Sequence, residues 1–338
     1  MDDAAAGAAL ELAEEIAPGL RGLERGETFA RLGDAEGELV AALEWFVAEG
    51  RAEETIRLTR ALAPYWQASR RLEDATAWFD RALTLPAGDA EQRGRALCEA
   101  GFLWFLRGED ERASALLQQA TELGRGLERP TVSALALTAF ARIALRRGDL
   151  EEARRLALEA FELSERGDDP IGRGSAAHVL GVTAQMQGEL LEARRWMTER
   201  IDRAREDGNY AALGMEASNL SMVERQLGDL ERADALAREA LDNFRRRRDE
   251  WAYSFGLNGL AAIEAARGSH ERAATLIGAA DARIEEQGAA WPPDEQVHYD
   301  ETVAALTAAL GAVEFERLRS LGAALSADEA VAYALAAQ

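Results

Sequence analysis

Polar side chains that could bind a ligand recur every 40 residues along the chain. One position is polar in all five copies, although its neighbours at helical spacing are alanines and leucines. It holds Cys98, Thr138, His178, Ser218 and Asn258. Positions four and seven residues further along include Phe102, Phe105, Arg142, Gln185, Met222 and Arg225. A continuous row of such groups is what a surface for a peptide or a small ligand needs.

Arg142 and Arg225 are the sharpest candidates in this set, because a guanidinium group can hold a carboxylate through two parallel hydrogen bonds. Two plainer interpretations stay open. The row could be a solvated face without a ligand. The two arginines could also pair with acidic residues of the chain itself, which has 61 aspartates and glutamates.

Catalytic chemistry has little support in the sequence. All 39 basic residues are arginines, which removes any lysine nucleophile, Schiff base or P-loop lysine. His178, His270 and His298 lie too far apart to form a local metal motif. No nucleophile elbow, dinucleotide fingerprint or EF-hand loop is present. We therefore expect no enzyme activity, no catalytic residue, no cofactor and no metal site.

The net charge and the cysteine content limit which classes of partner and which cellular compartment we expect. A net charge of −22 repels phosphate backbones. The one basic run, residues 245–248, stands where a helix should end, and cations there interact favourably with the helix dipole. The single Cys98 suits a reducing compartment, and neither a signal peptide nor a membrane span is indicated. We expect a cytoplasmic protein that binds neither nucleic acid directly nor a membrane.

Repeating elements must position the polar row, and two residue types mark them. Glycines occur at a constant spacing of 40 residues: Gly108, Gly148, Gly188, Gly228 and Gly268. Five residues after each comes an alanine: Ala113, Ala153, Ala193, Ala233 and Ala273. One structural unit copied at least five times is typical of a solenoid.

Each glycine predicts a short turn between two amphipathic helices. Gly148 follows the end of one helix, Asp149 caps the next, and Glu152 completes a capping-box pattern. Gly228 with Asp229 repeats this arrangement, and Gly268 with Ser269 is a variant with a serine cap. The alanine five residues on marks a close crossing of two helices.

The other connection in each unit is marked by Pro130 and Pro170, each placed to open a helix. Tyr210 and Glu250 occupy the equivalent places in later copies. One period is therefore a pair of antiparallel helices of about 17 residues each.

The pattern predicts three sections: degenerate helix pairs over 1–92, five regular repeats over 93–287 and capping helices over 288–338. In the first section Arg70 stands where a turn glycine would be, and 38–49 and 52–69 form an earlier helix pair. The third section opens with a loop at 288–293, and Ser326 with Glu329 forms a capping box before the last helix.

The spacing from glycine to alanine resembles the tetratricopeptide repeat, and Gly101 and Trp104 match its small and aromatic positions in one copy. The period of 40 falls in the range of HEAT and armadillo repeats, but a Gly-Asp turn followed by that alanine is not a HEAT signature. The resemblance implies an all-α fold, a right-handed α-solenoid of antiparallel helix pairs. It also implies that first helices line a concave groove, which would place the polar row there.

A second resemblance covers nearly the whole chain. It is to the C-terminal helical-repeat region of bacterial LuxR-type and SARP-type regulators and of related predicted ATPases. The matching segments are 12–15, 40–45, 78–83, 291–293 (Trp-Pro-Pro) and 325–331, with Tyr299, Gly311 and Phe315. Such regulators carry a P-loop ATPase module and often a helix-turn-helix domain, and this chain has neither. The resemblance implies a sensor or scaffold arm, either free-standing or cut from a larger protein.

We therefore expect a non-enzymatic binding module in transcriptional regulation. Its groove would receive a peptide, a protein partner or a small signal molecule. The alternative is a structural scaffold that forms homo-oligomers and binds no small ligand.

Overall fold

Helices account for the regular structure of the chain. The computed structural model describes residues 1–86, 88–289, 291 and 293–336. Over those residues it contains seventeen α-helices and two short 3₁₀ helices, without a strand. The predicted all-α fold of successive helix pairs is confirmed. No helix in the described ranges has the length and apolar character needed to cross a bilayer.

The chain divides into two compact units, and the first is Met1–Glu189. Neighbouring helices along this unit pack on one another. Its helices are α1 (Asp3–Ile16), a 3₁₀ helix (Ala17–Arg21), α2 (Arg25–Ala48), α3 (Ala52–Ala68), α4 (Leu72–Thr84), α5 (Ala90–Leu106), α6 (Asp110–Gly124), α7 (Thr131–Arg146), α8 (Leu150–Arg166) and α9 (Pro170–Met186). The predicted early pair corresponds to α2 and α3, although α2 begins well before residue 38.

The second unit is Leu190–Gln338. Its helices are α10 (Leu190–Glu206), α11 (Tyr210–Gln226), α12 (Leu230–Arg246), a 3₁₀ helix (Glu250–Ala252), α13 (Tyr253–Ala266), α14 (His270–Glu286), α15 (Pro293–Leu310), α16 (Ala312–Ala323) and α17 (Ala327–Leu335). Two residues of the loop predicted at 288–293, Ala290 and Pro292, lie outside the described residues. The predicted sections 1–92, 93–287 and 288–338 stay a prediction.

The turn glycines adopt the backbone conformation that their pattern predicts. All five have φ between +77° and +84°, a region that glycine enters freely. At Gly148 the glycine N–H donates to the carbonyl of Leu145, and the Asp149 N–H donates to that of Ala144, each at 3.0 Å. These bonds satisfy the last carbonyls of α7. Arg70 occupies the same kind of turn with φ +59°, as its place in the pattern indicated.

A second set of left-handed residues ends the second helices, also at intervals of 40. These are Asp168, Gly208, Arg248 and Gly288. Because the residue type changes from copy to copy, the sequence pattern did not reveal this set. The basic run at 245–248 belongs to one of these ends, since α12 stops at Arg246 and Arg248 takes the left-handed position.

The predicted caps are confirmed in part. The carboxylates of Asp149 and Asp229 accept from the backbone N–H of the third residue of the following helix, Glu152 and Arg232, at 3.2 and 3.1 Å. Glu152 does not complete a capping box, because its carboxylate binds the guanidinium of Arg155 at 2.7 Å instead. Ser269 makes no side-chain cap hydrogen bond. The box at Ser326 is complete.

The small residues of the repeat pack where helices meet. All five alanines of the pattern are fully buried. A Cβ atom added to Gly101 would lie 2.8 Å from the side chain of Leu117 and 3.3 Å from the carbonyl oxygen of Ala113. The second helix of this pair therefore approaches the first too closely for a larger side chain.

The left-handed turns predict opposite effects for two substitutions. Gly148→Ala should lower the free energy of unfolding by about 1 kcal/mol, because an L side chain is strained at positive φ. No neighbour lies within 4 Å of the added Cβ, so the cost comes from the backbone alone. Arg70→Gly should raise the free energy of unfolding by a similar amount. Urea denaturation of both variants measures this, and a shift of the same sign in both would contradict it.

Candidate ligand-binding groove

The first unit contains an open groove of about 570 Å³ formed mainly by α3, α5 and α7. Four residues of the predicted row line it: Cys98, Phe102, Thr138 and Arg142. Four arginines line it as well, namely Arg21, Arg57, Arg60 and Arg142, and we refer to it as the arginine groove.

The repeat register explains why these residues meet. Cys98 and Thr138 each lie ten residues before a turn glycine, and Arg60 lies ten residues before the left-handed Arg70. Arg60 is thus the member of the same row in the preceding helix pair. The turns at Arg70 and Gly108 are 38 residues apart, so a strict count of 40 misses Arg60. Counting back from the turn would have found it.

The groove carries a local excess of positive charge. Its four arginines face two glutamates, Glu14 and Glu99. Arg60 donates to both carboxylate oxygens of Glu99 at 2.8–3.1 Å and to the amide oxygen of Gln92 at 2.5 Å. Arg57 binds Glu14 through two bonds of 2.9 and 2.6 Å. The lining is therefore positive by two charges (4 − 2), within a chain of net charge −22.

Arg142 lines the groove from α7, and contacts with Ser175 and Phe102 help to orient it. Its Nη2 donates to the hydroxyl of Ser175 on α9 at 3.3 Å. Its guanidinium lies 5.5 Å from the ring centre of Phe102, which stacks in turn on Phe105 at 6.0 Å. The hydroxyl and the ring orient the planar guanidinium beside the groove.

The polar atoms of the row that lie in this groove are already bonded within the chain. Cys98 is 4% exposed, and its thiol donates to the carbonyl oxygen of Val132 at 3.6 Å. Burial raises the pKa of this thiol to about 12. The Thr138 hydroxyl donates to the carbonyl oxygen of Ala134 at 2.9 Å. These two residues form the floor, and the arginines supply the charged contacts.

The other predicted residues do not line the arginine groove. His178 and Gln185 are half-buried on α9. Ser218, Met222, Arg225 and Asn258 belong to the second unit. Asn258 is buried there, and its amide donates to a carboxylate oxygen of Glu295 at 3.4 Å. Burial lowers the pKa of Arg225.

No group of three or more histidine, cysteine, aspartate or glutamate side chains within the described part of the chain could hold a metal ion.

Family models match two segments of the chain. Residues 132–206 and 217–246 each match a tetratricopeptide repeat model. The matched segments cover α7 to α10 and most of α11 and α12. The predicted tetratricopeptide repeats are therefore confirmed over these residues. A comparison with curated proteins gave no match.

Solved helical-repeat structures resemble the chain at low identity. A Rap protein complexed with Competence and Sporulation Factor is 13% identical with a TM-score of 0.52, over 94% of this chain and 88% of that one. Aspartyl phosphate phosphatase F from Bacillus subtilis is 14% identical with a TM-score of 0.51, over 84% and 76% of the two chains. A STAND protein with a tetratricopeptide repeat sensor from Pyrococcus horikoshii is 14% identical with a TM-score of 0.48, and the match covers 95% of this chain and 55% of that one.

Burial of Cys98 predicts slow thiol chemistry in the folded chain. With a pKa of about 12, the thiolate fraction at pH 8.5 is about a thousandfold below that of an ordinary cysteine. Reaction with a disulfide reagent should therefore be about a hundredfold slower in buffer than in 8 M urea. Cys98 is the single cysteine, so the rate reports on it alone. Equal rates in the two conditions would contradict its burial.

Proposed function

We propose that this chain is a non-enzymatic binding module whose arginine groove receives an anionic segment of a peptide or protein partner, or a small anionic signal molecule. The observation that carries the proposal is the local charge of this groove. A chain with a large excess of acidic residues gathers four arginines around one open groove, and only two glutamates face them.

The groove also has suitable size and chemistry. Its volume of 570 Å³ lies within the range of about 300–1,000 Å³ that is common for small-ligand sites. Phe102 offers an apolar surface, and Arg142 beside it offers a charged fork. The ring can contact the apolar part of a ligand, and the guanidinium can bind its acidic group.

The similar solved folds support an effector-binding role. One of them is a Rap protein complexed with a Competence and Sporulation Factor. The resemblance to LuxR-type and SARP-type regulators suggests the setting, an arm that senses a ligand in transcriptional regulation in the cytoplasm. Binding would favour one arrangement of the helix pairs and so shift the equilibrium of a partner.

The arginine groove predicts a preference for acidic peptides and a specific loss on substitution. Nonapeptides selected from a random library on the immobilised chain should be enriched in aspartate and glutamate. Arg142→Ala should weaken the binding of a selected peptide at least tenfold, because a charge-assisted hydrogen bond contributes about 1.5–3 kcal/mol. Fluorescence anisotropy measures the affinity.

Arg129→Ala is the matched control, since Arg129 is exposed in the same unit outside the groove. It removes the same charge and should change the affinity less than twofold, in line with the small effect of a remote exposed charge. Equal losses of affinity in the two variants would contradict the proposal that the arginine groove binds the peptide. Selected peptides without enrichment in aspartate and glutamate would contradict it as well.

A further inference from the structure

The last helix, α17, occupies a groove between the second helices α12 and α14, over α13. Its apolar face of Ala330, Val331 and Ala334 is buried there. Two arginines bind its carboxyl end. Arg272 donates to the carbonyl oxygens of Tyr333 and Ala334 at 2.9 Å, and Arg238 donates to that of Ala334 at 3.1 Å.

The two arginines are held in place by a buried carboxylate and an aromatic ring. Glu264 is fully buried and accepts from Nε of Arg272 at 3.1 Å, and Arg238 lies 3.9 Å from the same oxygen. The guanidinium of Arg272 also lies 4.8 Å from the ring centre of Tyr333. The residue at position 333 of α17 therefore faces the side chain at position 272.

The same groove recurs three repeats earlier, and there it is open. The residues 120 positions before Arg238, Glu264 and Arg272 are Gln118, Ala144 and Glu152. All three line a cavity of about 820 Å³ formed by α6, α7 and α8, which we refer to as the α6–α8 groove. The chain thus displays, in its second unit, the kind of element that this groove can accept.

The residue at the position of Ala144 affects how much of such a groove stays open. One pair earlier it is Trp104, whose ring lies 3.9 Å below the guanidinium of Arg112. Two pairs later it is Glu224, buried in ion pairs with Arg194 and Arg232, and the cavity at the equivalent place there is about 270 Å³. Alanine has neither bulk nor charge, and the α6–α8 groove is correspondingly larger.

The floor of the α6–α8 groove is apolar, as in the groove that holds α17. Its floor residues Phe140, Ile143 and Leu156 correspond to Leu260, Ile263 and Leu276 of the second unit. The latter three are at most 1% exposed. Phe140 is only half-buried, so apolar surface is left to cover. Burying such surface drives helix docking.

The rim of the α6–α8 groove differs from that of the α17 groove in charge. Its lining carries Glu111, Asp149 and Glu152 against one arginine, Arg147, and Arg155 next to the groove binds the carboxylate of Glu152. Glu152 replaces Arg272, so the end that binds the carbonyls and ring of α17 is acidic here. A helix whose last turn presents a basic side chain complements this rim.

We propose that the α6–α8 groove is a docking site for a helix of a partner protein, one with small apolar residues on the buried face and a basic residue facing Glu152 in the last turn. This site is separate from the arginine groove and does not depend on the function proposed for it.

Synthetic peptides of residues 326–336 provide the probe. In the docked Tyr333→Arg peptide, the new positive charge would face Glu152. In the Ala332→Arg peptide, the charge lies on the exposed side of the same helix. The Tyr333→Arg peptide should bind the full chain at least tenfold more tightly than the Ala332→Arg peptide, as measured by fluorescence anisotropy. Equal affinities would overturn the proposal. Tighter binding of the unsubstituted peptide would overturn it too, because a second copy of this chain would then be the better occupant.

Two variants of the full chain locate the site. Ala144→Trp fills the groove as Trp104 does one pair earlier, and it should abolish binding of the Tyr333→Arg peptide. Glu152→Arg should weaken that binding at least tenfold, and it tests the site even if the tryptophan variant fails to fold. Glu162→Arg, an exposed substitution with the same charge change on α8, should leave the affinity within twofold. Unchanged binding in Glu152→Arg, or an equal loss in Glu162→Arg, would overturn the proposal.

Discussion

The residue held at positive φ after each first helix sets where the second helix starts. At Gly148 this conformation satisfies the carbonyls of Ala144 and Leu145 and places Asp149 to cap α8. The buried alanine five residues after the glycine then allows the two helices of a pair to pack closely. Because each pair has the same turn, residues at equal distances from it occupy equivalent places. Both grooves described above follow from this equivalence.

The two grooves use different sides of the repeat and opposite charges. The arginine groove lies along first helices, where Arg60 and Arg142 surround a floor that includes Cys98. The α6–α8 groove lies along second helices, and its rim includes Glu111 and Glu152. One repeat can therefore present a basic surface and an acidic surface without any change in its backbone. Substitutions at a few register positions change the size of these grooves, as Ala144 and Glu224 illustrate.

The helix pairs could be predicted because glycine and alanine recur in every copy. The left-handed ends of the second helices could not be predicted, because Asp168 and Arg248 stand at a position that is glycine in other copies. Arg60 was missed because an interval of 38 residues precedes Gly108. The capping of α17 by Arg238 and Arg272 depends on contacts between distant segments, which no local pattern encodes. Four row residues do share a groove, but the side chains of three of them, Cys98, Thr138 and Arg142, each make a hydrogen bond within the chain.

The turn register brings helices α3, α5 and α7 together, and we propose that they form one ligand site. Hydrogen–deuterium exchange of the full chain can be compared with and without a library-selected acidic peptide. We expect slower exchange on binding in residues 57–67, 92–105 and 132–146, with residues 210–286 unchanged. Protection confined to residues 210–286 would contradict it, as would a bound peptide that protects none of these segments.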